Sequence, residues 1–192
     1  MTPNDFIGLI AAILAVYAFI PYFIGIARGT TKPHVFTWLL FALLTGIGGA
    51  AQLAAGGGAG SWVMAVSSIM CCLVFAFALR RGERHITRSD WVTFLVALLA
   101  LPLWYFTKDP LWSVLLVIAI DAMAFYPTFR KSWHKPWEEV LQSYVISAIK
   151  FFLGLVALEE MSLTTVLYPA YLVLANTAFV VMSLRRRKKL KR

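Results

Sequence analysis

From Phe6 to Leu184 the chain runs through seven apolar stretches, at 6–27, 35–55, 61–79, 91–107, 111–129, 139–158 and 163–184. Each is close to the about 20 residues that a helix needs to cross roughly 30 Å of hydrocarbon. Seven such helices take up most of the 192 residues and leave only short connections. Breakers and charge mark these connections: Arg28 to His34, Gly56-Gly57-Gly58, Arg80 to Asp90, Thr107 to Pro110, Arg130 to Pro136, and Glu159 to Ser162. With 60% hydrophobic and 14% charged residues and a mean hydropathy of +0.76, too little polar surface remains to coat a water-soluble globule. The expected class is therefore all-α and integral to a membrane. Met1 to Asp5 holds one acid and no lysine or arginine, and the first stretch exceeds a signal core, so cleavage there is not expected. Cys71 and Cys72 are neighbours in a helical stretch and point apart, which excludes a disulfide between them.

Basic residues set the expected orientation, because lysine and arginine near span ends are retained on the cytoplasmic side. Of the 18, all but Lys108 and Lys150 lie in alternate connections or in the tail Arg185 to Arg192. The amino terminus is thus expected outside and the carboxyl terminus in the cytoplasm of a multi-pass cell-membrane protein. Directly after a span, the sequence RRRKKLKR reads as an anchor or anionic-lipid contact, with a nucleic-acid patch as the weaker alternative. Trp38, Trp62, Trp91, Trp112, Trp133 and Trp137 fall near span ends, where tryptophan anchors a helix at the interface.

An internal repeat organises the chain. The segment AFIPYFIGIARGTTKPH from Ala18 matches AFYPTFRKSWHKPW from Ala124 through Ala-Phe-x-Pro-x-Phe, a basic stretch and Lys-Pro, with three more residues between the prolines of the first copy. Both copies sit at the same expected side of the membrane. The resulting plan is a three-helix repeat at 1–89, a linker helix at 90–109 that keeps the two repeats parallel, a second three-helix repeat at 110–184 and a basic tail at 185–192. Pro21 and Pro127 each remove a backbone donor and crowd the carbonyls of Tyr17 and Met123, so they mark either hinges or static bends.

The repeated architecture and its paired prolines resemble the SWEET and PQ-loop superfamily of small transporters over nearly the whole chain. Tyr22 and Thr128 stand where PQ-loop proteins have glutamine. Bacterial nicotinamide riboside transporters resemble the same plan. The resemblance implies movement of a solute through a central pocket. It also sets Asn176 near the position of a pocket asparagine, with Cys71 at the matching place in the third helix.

Asp121 and Lys150 are ionisable residues deep within stretches, where such groups point to chemistry. Their similar depth allows a direct ion pair, which is either a structural lock or a polar site for a solute or a coupling proton. Ser143, Ser147, Lys150 and Gly154 share one helical face, as do Thr45, Gly49, Gln52 and Gly56. The glycines suit close helix packing, and Gln52 either lines a pocket or bonds across helices. Ser67, Ser68 and Cys71 form a weaker polar face. His34, His85 and His134 lie in connections, no catalytic or metal motif is present, and no cofactor is expected. Glu138 and Glu139 read as first-turn acids of the sixth helix. The expected function is a transporter or facilitator of a small polar solute, with a pocket of Asp121, Lys150, Asn176, Gln52 and Ser147 and hinges at Pro21 and Pro127. The alternative is a non-transporting, membrane-embedded assembly protein. Expected partners are membrane lipids, the solute and a further copy of the chain, with no nucleic acid.

Overall fold

The computed structural model describes residues 1–29, 33, 35–82, 88–99, 102, 106, 110–134, 136–137 and 140–190. The helices are α1 (Pro3–Ala27), α2 (Val35–Ala54), α3 (Trp62–Arg81), α4 (Arg88–Leu98), α5 (Pro110–His134), α6 (Leu141–Val156) and α7 (Leu163–Leu190), with a 3₁₀ turn at Gly58–Ser61 before α3. No strand occurs among the described residues. Among the described residues, four segments are long and apolar enough to cross a membrane: α1, α2, Gly58–Arg81 and α7. The shorter apolar helices are Leu111–Phe125, within α5, and α6. Of the expected fourth stretch, α4 covers the part to Leu98, and most of the remainder lies outside the described residues. Lys32, His34, Arg84, His85, Lys108, Lys135, Glu138 and Glu139 also lie outside them. Beyond Leu184 the backbone stays helical to Leu190, so the basic segment begins as an extension of α7 rather than as a separate tail.

Local chemistry accounts for the start of α1. Thr2 Oγ1 accepts from the Asp5 amide at 3.2 Å while the Asp5 carboxylate accepts from the Thr2 amide at 2.7 Å, and Pro3 occupies the first turn, where its missing donor costs nothing. Along α1, Gly8, Ala11, Ala15 and Ala18 face inward, whereas Phe6, Ile13, Tyr17, Ile20 and Ile24 face outward. Small residues inside bring helix backbones together, and large apolar residues outside suit a hydrocarbon surrounding.

The helices associate in two like sets. In the first, α3 packs against both α1 and α2; in the second, α7 packs against both α5 and α6. Between the sets, α1 lies on α6 and α2 on α5, with smaller contacts between α2 and α7 and between α3 and α6. Exchanging α1 with α5, α2 with α6 and α3 with α7 maps this pattern onto itself. The small helix α4 touches α2 and α5.

Side chains obey the same exchange. Phe19 lies 6.4 Å from Phe23 and 5.8 Å from Trp38, and Phe23 lies 5.8 Å from Phe77 of α3. In the second set Phe125 lies 5.0 Å from Phe129 and 5.9 Å from Tyr144, and Phe129 lies 5.2 Å from Phe179 of α7. The two phenylalanines of each Ala-Phe-x-Pro-x-Phe copy thus build equivalent aromatic clusters. Trp38 belongs to one of these: it packs on Phe19, Tyr22 and Phe41 and donates from Nε1 to Tyr22 Oη at 3.0 Å. Trp38 is thus held by α1 as well as by its own helix. Trp62, Trp91, Trp112, Trp133 and Trp137 keep their outward exposure.

Two glycines complete the correspondence. A Cβ at Gly48 of α2 would strike the Tyr168 ring of α7, with Cε1 at 2.8 Å, and a Cβ at Gly154 of α6 would meet Val63 Cγ1 of α3 at 2.6 Å. Each glycine lets the second helix of one set close on the third helix of the other.

Candidate functional site

Lys150 sits on the inner face of α6, fully enclosed, with its Nζ 2.9 Å from Ser67 Oγ of α3. Ser67 donates its own proton to the Val63 carbonyl at 2.6 Å, which leaves its oxygen lone pairs to accept from the lysine. The remaining surroundings of the ammonium are aromatic: the Phe19 ring centroid is 5.2 Å away and that of Phe151 4.6 Å away. Ring faces attract a cation, most strongly where water is excluded. No carboxylate comes within ion-pair distance of Lys150 among the described residues. Counted from the Lys-Pro of each copy, Lys150 falls where α2 has Ile47, also buried. The polar group is therefore confined to one of two equivalent positions.

Asp121 is held separately. Its Oδ2 accepts from Tyr171 Oη at 2.9 Å and its Oδ1 from Tyr168 Oη at 3.3 Å, both from α7. Tyr168 is completely buried and rests against Gly48, so the carboxylate is connected through one ring to the seam between α2 and α7. Its counterpart in α1 is Ala15, likewise buried. The expected ion pair between Asp121 and Lys150 is not formed among the described residues. The reason is geometric: α5 turns Asp121 toward α7 within its own set, while α6 turns Lys150 toward α1 and α3 of the other set.

The other expected pocket residues divide in the same manner. Gln52 donates from Nε2 to the Thr165 carbonyl at 2.6 Å, tying α2 to the first turn of α7, and its Oε1 is buried with no partner. It bonds across helices. Asn176 is buried but donates to the Leu172 carbonyl of its own helix at 2.7 Å. Ser147 is half-buried on the Lys150 face, and Ser143 Oγ is buried without a partner. Helices α1 and α5 continue through Pro21 and Pro127. At the opposite end of the bundle from the aromatic clusters, Glu159 joins the sets by accepting from the Ala59 amide at 3.4 Å and donating its own amide to Gly57 O at 3.4 Å.

Ser67 is the direct partner of Lys150, although its sequence context made it only part of a weak polar face. Tyr168 and Tyr171 gave no signal on their own, yet two phenols one turn apart at a depth matching a buried carboxylate are a recognisable donor pair. Among the described residues no group of three or more His, Cys, Asp or Glu is placed to hold a metal ion. The site can offer an ammonium beside a hydroxyl and two aromatic faces, together with a carboxylate oriented by two phenols. No protein-family profile, curated protein or solved structure matches the chain.

Proposed function

We propose that the chain spans the cell membrane seven times, as two parallel three-helix repeats joined by a linker helix, and carries a small polar solute between them. The amino terminus lies outside and the carboxyl terminus inside, as the basic residues require. This is the plan of the SWEET and PQ-loop proteins that the sequence resembles, and the exchangeable packing of the two helix sets supports it. Lys150 carries the functional reading. An ammonium enclosed at the seam between repeats, with one hydroxyl and two rings around it, is costly to keep in a static bundle and useful where a solute or proton must be bound. Asp121 with its two tyrosines supplies the acidic half of the polar interior, and Pro21 and Pro127 are the hinges. Gln52, Asn176 and Ser147 line the path between the repeats when these separate.

A specific observation favours a second reading, a membrane-embedded assembly protein without transport: the Gln52 and Asn176 amides both donate within the bundle. Uptake by proteoliposomes across sugars, amino acids, nucleosides and vitamins decides between them. Saturable uptake that Lys150→Met abolishes in a folded protein supports transport. Absence of uptake across the panel, with correctly oriented protein, supports the assembly reading.

A further inference from the structure

The carboxyl-terminal half of α7 bears a feature that solute transport does not use. Ala178, Val181, Met182, Arg185, Lys188 and Lys189 follow one another at helical spacing and form one wall of a groove of about 670 Å³, closed by Trp133 at the end of α5 and by Arg186. The groove is chemically divided along its length. Ala178, Val181 and Met182 form an apolar floor continuous with the outward face of the helix, and Arg185, Lys188 and Lys189 form an exposed cationic rim one to two turns further on.

The neighbouring arginines hold this geometry in place. Arg186 lies 4.5 Å over the Trp133 ring and donates from Nε to the Trp133 carbonyl at 2.8 Å, and Arg187 donates from Nε to the Pro136 carbonyl at 2.9 Å. Cations at these carbonyls complement the negative end of α5. With the extension of α7 pinned in this way, its rim is presented by a fixed helix rather than a loose tail.

We infer that this groove is a binding site for a glycerophospholipid with an anionic headgroup. The phosphate and headgroup charge lie among Arg185, Lys188 and Lys189, and the upper acyl chain lies along Met182, Val181 and Ala178. Charge complementarity selects the anionic headgroup, and the apolar floor beside it selects a lipid over a free phosphate. The inference rests on the membrane reading above, which puts this end of α7 at the cytoplasmic surface.

The test uses the purified full chain in detergent micelles, titrated with phosphatidylglycerol, phosphatidylcholine or inorganic phosphate and followed by native mass spectrometry and thermal unfolding. Phosphatidylglycerol is expected to give a retained one-to-one adduct and a raised Tm. The combined variant Arg185→Gln, Lys188→Gln and Lys189→Gln should weaken that adduct by roughly a hundredfold, while Arg28→Gln, Arg80→Gln and Arg81→Gln, which remove the same charge elsewhere, should preserve it. Equal retention of phosphatidylcholine, equal loss in both variants, or the same Tm rise from inorganic phosphate alone each overturns the proposal. Alkaline carbonate treatment of native membranes separates the two levels. Release of the protein refutes the membrane reading, whereas a retained protein that fails to discriminate headgroups refutes the groove alone.

Discussion

Lys150 Nζ and Ser67 Oγ meet at 2.9 Å across the seam between the two helix sets, on helices far apart in the chain. The contact leaves a buried cation balanced, among the described residues, by a hydroxyl and two rings instead of by a carboxylate. Replacing Lys150 with Met should preserve or raise unfolding stability, because Ile47 shows that an apolar side chain fills the corresponding position of α2. Ser67→Ala strips the ammonium of its acceptor and should cost about 1.5–3 kcal/mol, and the double variant should recover most of that loss. Denaturant unfolding in micelles reads all three. A Lys150→Met variant as unstable as Ser67→Ala would contradict this account.

Asp121 should behave as a partner of tyrosines and not of Lys150. Tyr171→Phe removes the 2.9 Å donor and should cost about 1.5–3 kcal/mol, and Tyr168→Phe, at 3.3 Å, should cost less. Both effects should shrink in an Asp121→Asn background. By contrast, Asp121→Asn and Lys150→Met share no partner, so their effects should add to within about 0.5 kcal/mol. A large favourable coupling between those two substitutions would reinstate the ion pair and refute the separate sites.

At Gly48 the second and third helices of opposite sets approach too closely for any side chain. Gly48→Ala should therefore destabilise by about 1–3 kcal/mol through displacement of Tyr168, and Gly154→Ala should do the same against Val63. The two differ downstream. Only Gly48→Ala disturbs a residue bonded to Asp121, so only in that background should Tyr168→Phe lose its own effect.

Reporter fusions check the orientation. A fusion after Arg192 should be cytoplasmic and one before Met1 external; finding both ends on one side would rule out seven spans.

Composition and local pattern by themselves determined the helical class, the positions of the long apolar segments, the duplicated Ala-Phe-x-Pro-x-Phe and the burial of Asp121 and Lys150. Each of these depends on a residue and its near neighbours: hydropathy over one span, a motif compared with its copy, or the depth of a residue along its own helix. The partners of the buried polar groups were not legible in this way. Depth alone made Asp121 and Lys150 candidates for each other, because hydropathy fixes how far along a helix a residue lies and not which way it points across the bundle. The tertiary structure decided that α6 turns Lys150 to Ser67 and Phe19 while α7 brings Tyr168 and Tyr171 to Asp121. It also drew Trp38 into an aromatic cluster and bent the role of Gln52 toward α7. Partner choice depends on which helices the long-range packing sets face to face, and small residues such as Gly48 and Gly154 permit that packing without revealing in the sequence which ring or methyl group will occupy the space.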